Sequence, residues 1–344
     1  MSRSRSTPPA IHLRRLAGAF ALSILPGLLV ANEAWANTLV LYTNDFEDII
    51  GERFKADTGH DIEVVQMSGG NLLARIAAER NNPHWDVVLF DGLGSLYNLN
   101  SEGQLRRGWT PENARHLTEQ GRALVPEDAA WMPAGATASC VIAYRTDRIK
   151  TPPTSFSDLT APAYRGEIGQ ADPAVAAPAY PCVAAQHHTL GMDAARTLYT
   201  GLLDNELRVF RTNGPVARAL AAGEIQAAML SSPFAYTLKH DGAPVEVIWP
   251  EDGAPASSRG VAIQAKSQNL EAAEAFVNWM LAPATQQFLT DNGGKDGLFL
   301  SPVEGVEPLA FGPPATARYD IAPAHWAAEH EADIKNWFAD QAVN

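Results

Sequence analysis

The hydrophobic pattern of residues 38–91 predicts three strands that alternate with two helices. Residues 39–42 and 87–90 are short, continuous apolar runs, as in buried strands, and residues 61–66 form a strand between them. The intervening segments carry apolar residues at helical spacing: Phe46, Ile49, Ile50 and Phe54 in the first, and Leu72, Leu73, Ile76 and Ala77 in the second. This order of elements is typical of half an open parallel sheet.

Polar residues follow each of these strands. They are Thr43 and Asn44 after the first strand, Ser68, Gly69 and Gly70 after the second, and Asp91 after the third. Ligands of doubly wound sheets bind at the carboxyl ends of the strands, and helices that begin there offer unpaired N–H groups to anions. Ordinary helix capping explains each junction taken alone, but their occurrence at one edge favours a binding site.

The same pattern recurs later in the chain. The strands predicted at residues 209–212 and 225–230 run into polar turns that open helices, at Asn213 and Gly214 and at Ser231 and Ser232. Further strands are expected at residues 138–144, 245–249 and 260–263, and a last helix at residues 323–338. The fold class is therefore α/β.

The first 36 residues have the features of a secretion signal. Four arginines precede an apolar stretch at residues 16–30. Ala34-Trp35-Ala36 then provides a small-x-small cleavage site. The apolar stretch is short and contains Pro26, which disfavours a membrane anchor. We expect cleavage after Ala36 and a periplasmic mature protein with no stable membrane insertion.

The charge balance bears on possible partners. The chain has a formal net charge of -13, and the signal carries four arginines and one glutamate, so the mature protein is close to -16. So acidic a surface, with no basic or aromatic cluster, disfavours binding to nucleic acid. The bulk charge does not determine the ligand, because a local site can have the opposite sign.

Cys140 and Cys182 are the two cysteines of the sequence. Export would place them in an oxidising compartment, where they either form one disulfide or remain as two small buried side chains. The sequence does not decide between these alternatives.

No catalytic motif is recognisable in the sequence. A Gly-x-Ser-x-Gly nucleophile turn, a nucleotide-binding glycine pattern and metalloenzyme histidine spacing are all missing. His187 and His188 are adjacent, so on a helix they diverge by about 100° and do not chelate one metal together. We therefore expect a binding protein without a cofactor, rather than an enzyme.

The mature chain resembles the periplasmic solute-binding proteins of ABC transporters. It is most similar to the type II family that includes ferric-ion and 2-aminoethylphosphonate binders, through the stretches LVLYTN, FKADTG, ARIAAERNNPHWDVVL, ALAAGEIQAAML and AAEAFVNWMLAPATQQFL. The resemblance implies a two-lobed type II periplasmic-binding-protein fold. In it each lobe is a mostly parallel sheet flanked by helices, and crossover hinge strands join the lobes, which close on ligand.

The resemblance also implies the domain organisation. Residues 37–135 plus 256–310 would form lobe 1, residues 136–255 would form lobe 2, and the helices of residues 311–344 would pack back on the lobes. The chain would cross between lobes near residues 135–139 and 256–261. A monomer, a small-molecule ligand and an inner-membrane ABC permease partner are expected.

The ligand would lie between the lobes. The residues expected to face it are Thr43, Asn44, Ser68, Gly69, Gly70 and Asp91 from lobe 1, and Asn213, Gly214, Ser231 and Ser232 from lobe 2. Arg259, near the hinge, is expected either to bind a phosphonate or carboxylate or to form a solvent-exposed ion pair. Asp91, with Asp45 as a second candidate, would hold an ammonium group. A phosphonate-, phosphate- or amino-acid-like solute is the favoured class.

Ferric iron is the alternative ligand. The positions that match the two adjacent tyrosines of ferric binders are Pro233 and Phe234, and the matching histidine position is Phe46. Asp91 keeps the matching carboxylate, and Tyr236 and His240, four residues apart on a predicted helix, would be substitute ligands. Because ferric iron needs several anionic oxygen donors, the phosphonate-like solute is preferred.

Overall fold

A computed structural model describes residues 38–174, 176, 179–251, 253–314 and 316–342 of the chain. The predicted signal peptide lies outside these residues. The strands are β1 Leu39–Thr43, β2 Ile62–Gln66, β3 Val87–Asp91, β4 Met132–Ala138, β5 Val141–Arg145, β6 Ile168–Ala171, β7 Arg208–Phe210, β8 Ala227–Leu230, β9 Val245–Ile248, β10 Ala254–Ile263 and β11 Tyr319–Asp320. The α-helices are α1 Ile50–Thr58, α2 Gly69–Ala78, α3 Leu93–Ser101, α4 Glu119–Ala123, α5 Tyr180–Leu190, α6 Met192–Asp204, α7 Asn213–Ala222, α8 Ser232–His240, α9 Leu270–Met280, α10 Pro283–Asn292 and α11 Ala324–Ala342.

The strands form two mixed sheets. In the first, the order is β11-β10-β3-β1-β2, with β4 paired to β10, and β1 is parallel to both β2 and β3. In the second, the order is β7-β6-β8-β5-β9, with β6 parallel to β7 and β8. The strand-helix-strand-helix-strand order predicted for residues 38–91 is confirmed.

The two sheets are connected by the chain at β4 and β10. These strands pair antiparallel from Ala256↔Ala138 to Val261↔Met132, and the register shifts between Arg259 and Gly260. The second sheet draws all its strands from residues 141–248. The predicted lobe boundaries, which are not themselves tested by this pairing, remain a prediction.

Gly260 lets β10 lie close to α3. A Cβ atom at this position would come 2.4 Å from Leu96 Cδ1 and 2.9 Å from Leu93 Cδ2, closer than van der Waals contact allows. Leu93 is the first residue of α3, so this contact sets the distance between the sheet and the start of that helix.

Three sequence expectations differ from the structure. The strand expected at residues 138–144 is interrupted, because β4 ends at Ala138 and β5 begins at Val141. The first helix begins at Ile50, because Phe46 adopts φ +60° in a turn and buries its ring instead of joining the helix. The strand expected at residues 260–263 begins at Ala254, since the Pro- and Ser-containing segment before it pairs with β4. Local composition favoured a loop there, and tertiary pairing overrides it.

Cys140 and Cys182 form a disulfide, with a Cα–Cα distance of 5.5 Å. The bond ties the residue before β5 to the first turn of α5. It therefore fixes the start of α5 relative to the segment where the chain passes from the first sheet to the second.

Helix α11 spans between elements of both sheets. Its buried Ile334 and Phe338 join the core beneath β5, β6 and β8, while the helix also packs on α3 beside the first sheet. Tyr180 of α5 donates a hydrogen bond to the carbonyl of Ala327, 2.5 Å away. One face of α11 is thus held against two different parts of the molecule.

Candidate functional site

A cavity of about 490 Å³ lies at the carboxyl ends of the first sheet's parallel strands. Its lining includes five of the residues expected from the sequence, namely Asn44, Ser68, Gly69, Gly70 and Asp91. A further cavity of about 660 Å³, beside α4 and residues 300–306, is lined by none of the expected residues. We therefore take the first as the candidate site.

Two helices begin at this cavity. Helix α2 starts after Ser68, whose backbone is extended and whose side chain makes no capping hydrogen bond. Helix α3 starts after Gly92, which adopts φ +113° and donates its N–H to the carbonyl of Ser258. The first N–H groups of each helix lack partners within the helix, so these two starts give the cavity a positive electrostatic character that suits an anion.

Asp91 adds a negative group beside these helix starts. Its N–H donates to Asn44 Oδ1 at 3.2 Å, and Ser257 Oγ lies 3.5 Å from its Oδ1. Burial, followed by the charge of Asp45, raises the pKa of Asp91 to about 6, against the lowering effect of Arg259. The carboxylate is therefore largely ionised at neutral pH, and the cavity combines positive and negative poles.

Arg259 lies behind the cavity instead of lining it. The residue is 5% exposed, and its Nε donates to Asp45 Oδ2 at 2.7 Å. Its guanidinium carbon lies 4.6 Å from the ring centroid of Phe46 and 5.5 Å from that of Phe299. An ion pair is present, but it is buried and not solvent-exposed as the alternative role supposed. Direct contact between Arg259 and a ligand remains a prediction.

Thr43 shapes the loop after β1. Its hydroxyl accepts the N–H of Asp45 at 3.0 Å and donates to the carbonyl of Asp45 at 2.8 Å. The side chain is fully buried and is not part of the cavity lining. It therefore positions Asn44 and Asp45, and direct ligand contact by Thr43 stays a prediction.

The residues expected from the second sheet lie elsewhere. Asn213 and Gly214 open α7, and Ser231 and Ser232 lie at the start of α8, but none of the four lines the cavity. Among the described residues, Ser232 Oγ is buried without a hydrogen-bond partner. The binding roles of these four residues therefore remain predictions.

The wall of the cavity beyond the strand ends is formed by α5 and α11, while residues 256–258 line it beside Asp91 and Gly92. It presents Tyr180, Pro181 and Ala184 from α5, and Ala324, Ala327, Ala328, Glu331 and Lys335 from α11. Sequence reasoning missed this wall. Its one sequence signal was the i,i+4 spacing of Glu331 and Lys335, which predicts an ion pair but not a site.

Of the three residues proposed for iron, Asp91 lines the cavity and Tyr236 and His240 do not, so their role as ligands remains a prediction. Tyr236 is buried, and burial and the charge of Glu246 raise the pKa of its hydroxyl; His240 stacks on Phe311 with ring centroids 4.2 Å apart. Neither lines the cavity with Asp91. In the part of the chain that the structure describes, no three histidine, cysteine or carboxylate side chains are placed to hold a metal ion.

Across the same described residues, none of the helices combines the length and apolarity that crossing a membrane requires.

Comparison with known proteins identifies relatives along most of the chain. A protein of Sinorhizobium fredii named as a probable ABC transporter periplasmic-binding protein is 29% identical over 310 residues, covering 80% of this chain and 78% of that protein. A protein of Salmonella typhi named as a candidate 2-aminoethylphosphonate-binding periplasmic protein is 23% identical over 347 residues. The match covers 95% of this chain and 93% of that protein.

Solved structures share the fold. The periplasmic binding protein AfuA of Actinobacillus pleuropneumoniae, solved with exogenous fructose-6-phosphate, superposes with a TM-score of 0.73 at 21% identity, covering 89% of this chain and 98% of that one. The ferric binding protein of Campylobacter jejuni superposes with a TM-score of 0.74 at 21% identity. The match covers 88% of this chain and 99% of that one. The architecture is thus the two-lobed type II periplasmic-binding-protein fold expected from the sequence.

A family model described as bacterial extracellular solute-binding protein matches residues 50–298. Because the match covers most of the chain, and includes β2, β3 and the starts of α2 and α3 at the cavity, the chain belongs to the bacterial extracellular solute-binding protein family.

Proposed function

We propose that the chain is the periplasmic solute-binding component of an ABC importer. The relative from Sinorhizobium fredii, whose printed name gives this role, supports the proposal, as does the secretion signal expected at residues 1–36. Capture would occur by closure of the two lobes about the paired strands β4 and β10, without catalysis. An inner-membrane permease would then receive the solute.

The proposed ligand is a small anionic or zwitterionic solute of the phosphonate or phosphate class, such as 2-aminoethylphosphonate. One observation carries this choice: the N-termini of α2 and α3 open into the same cavity as the Asp91 carboxylate. The unpaired N–H groups suit a phosphonate, and Asp91 suits an ammonium group. The relative named for 2-aminoethylphosphonate binding agrees with this class.

Calorimetry on the mature protein, stripped of bound solute by unfolding and refolding, tests the proposal. The panel is 2-aminoethylphosphonate, ethylphosphonate, ethylamine and ferric citrate. We expect 2-aminoethylphosphonate to bind most tightly, ethylphosphonate more weakly and ethylamine not at all. At a hundred times the dissociation constant, the ligand should stabilise the fold by roughly 2.7 kcal/mol.

The panel also tests the alternative ligand. If ferric citrate binds and neither phosphonate does, iron replaces the phosphonate class. If ethylamine alone binds, the helix N-termini are not the determinant and the anionic class is wrong.

A further inference from the structure

The residues of α11 that line the cavity take no part in the phosphonate and ammonium binding proposed at the strand ends. Here α11 presents Ala327, Ala328, Glu331 and Lys335, and α5 adds Tyr180. The hydrogen bond from Tyr180 to the carbonyl of Ala327 fixes the aromatic ring against the helix. This end of the cavity is therefore a built surface of apolar side chains with one ion pair at its border.

The cavity is large for the smallest solutes of the proposed class. Its volume of about 490 Å³ equals that of roughly 16 water molecules at ~30 Å³ each. Small-molecule sites of this size bury the apolar body of a ligand and orient it with a few polar groups. A solute that occupied the strand ends alone would leave the surface formed by α5 and α11 without a partner.

Glu331 and Lys335 limit what the far end of a ligand can be. Lys335 Nζ pairs with Glu331 Oε1 and lies 5.0 Å from the ring centroid of Tyr180. The Glu331 side chain is 43% exposed, whereas that of Lys335 is 26% exposed. Because the Glu331 side chain is the more exposed of the pair, its carboxylate is the more accessible charge, and its second oxygen suits a cationic group.

We propose that α11 is the specificity-determining wall of the site. The solute is an organic phosphonate or phosphate whose anionic head lies at the starts of α2 and α3. Its apolar body packs against Ala327, Ala328 and Tyr180, and its terminal ammonium lies at Glu331, whereas the ammonium of the two-carbon solute stays at Asp91. This inference rests on the proposed function and adds the length and polarity of the solute to it.

A series of ω-aminoalkylphosphonates with two, four and six methylene groups tests the length, by calorimetry on the mature protein. Each buried methylene contributes ~0.8 kcal/mol, so affinity should rise about fourfold per methylene along the series. Hexylphosphonate, which lacks the ammonium, is the matched probe for the terminal charge. It should bind more weakly than the six-carbon amine.

Two variants locate the effect on α11. Glu331→Gln should weaken the six-carbon amine about fivefold and leave hexylphosphonate and 2-aminoethylphosphonate unchanged. Glu329→Gln, the same charge change at an exposed position outside the cavity, is the control and should change none of them. Ala328→Leu, which fills the far end, should weaken the long amines and spare the two-carbon one.

The outcomes separate this inference from the proposed function. If 2-aminoethylphosphonate binds but affinity is flat or falls with length, α11 does not determine specificity and the inference is wrong. Equal behaviour of Glu331→Gln and Glu329→Gln overturns the role of Glu331. If no phosphonate of any length binds, the proposed ligand class fails and this inference fails with it.

Discussion

Arg259 and Asp45 form a buried ion pair in which Nε and Oδ2 lie 2.7 Å apart and the residues are 5% and 8% exposed. Asp45→Asn would leave the Arg259 charge buried beside Phe46 and Phe299 without this partner. Removing one member of a buried pair typically costs 3–5 kcal/mol, and since Asp91 still faces Arg259 we expect about 3 kcal/mol. Urea unfolding monitored by tryptophan fluorescence measures the loss.

Asp61→Asn is the matched control for that prediction. Asp61 pairs with Lys55 at 2.6 Å, but the two side chains are 61% and 63% exposed. Exposed pairs contribute about 0–1 kcal/mol, so the control should unfold at nearly the wild-type urea concentration. Equal losses in both variants would show that burial of the Arg259 pair has no special energetic effect.

The raised pKa of Asp91 predicts a pH-dependent stability. Its pKa is about 6 in the folded protein against 3.8 in the unfolded chain, so the folded state binds the proton more tightly. Ionisation therefore destabilises the fold: the cost is absent below pH ~4, grows up to pH ~6 and is complete above it. Asp91→Asn should remove this cost, on the order of 3 kcal/mol at pH 8 and little at pH 4.

Denaturant titrations of both proteins, without solute, at pH 4 and pH 8 make that comparison. At pH 8, the variant should have a larger free energy of unfolding than the wild type. A variant that is less stable than wild type at pH 8 would show that Arg259 and Ser257 stabilise the carboxylate by more than burial destabilises it.

Gly69 allows the N–H groups of α2 to be tested directly. Proline is tolerated at the first position of a helix, and Ser68 already has φ −60° and ψ 147°, the extended conformation that a following proline requires. Gly69→Pro deletes one N–H at the cavity. Loss of a hydrogen bond to a charged group costs 1.5–3 kcal/mol, so phosphonate affinity should fall about 10- to 100-fold.

Gly69→Ala controls for the added side chain. Its Cβ would lie 3.3 Å from the ring of Phe90, so it crowds that ring while the N–H is kept. Calorimetry should show the alanine variant near wild-type affinity. If alanine and proline weaken binding equally, crowding of Phe90 is responsible and the N–H contributes nothing.

The disulfide should contribute to both stability and binding. Its closure of a 42-residue separation stabilises the fold by about 4 kcal/mol in the chain-entropy account. Because Cys182 lies in the first turn of α5, beside Tyr180 and Pro181 at the cavity, a Cys140→Ser, Cys182→Ser double variant should also bind more weakly. Unfolding and calorimetry of this variant measure the two effects separately.

Wild-type protein that is unfolded in urea with dithiothreitol, because both cysteines are only 1% exposed, and then refolded under reducing conditions is the chemical counterpart of the double variant. It should show the same two changes, and reoxidation should reverse them. Unchanged affinity in a destabilised protein would mean that the bond holds the fold without positioning α5 at the cavity.

The half of the site at the strand ends was predictable because local rules determine it. Short apolar runs followed by Asn44, Ser68 and Asp91 predict strands that end in polar turns, and parallel pairing brings those turns to one edge. The wall beyond the strand ends depends on α11, which comes more than 230 residues after β3 and reaches the cavity through tertiary packing. No local pattern indicates which face of such a helix lines a cavity.

Arg259 shows the same limit at a single residue. Its position near the hinge was predictable from the resemblance, but the choice between ligand and ion pair depends on Asp45, 214 residues away in the chain. The prediction that Phe46 belongs to the first helix was wrong for a different reason. The helical spacing was present, but the turn that buries the Phe46 ring gives this residue a left-handed backbone angle.

Gly260 has a consequence for the range of solutes that this architecture can accept. Any larger residue there would push Leu93 and Leu96 outward and shift the first turn of α3. Since residues 92–95 line the cavity, its shape would change even though Gly260 is not part of the lining. Gly260 therefore acts as a spacer between β10 and α3, and its small size helps to set the shape of a cavity that it does not line.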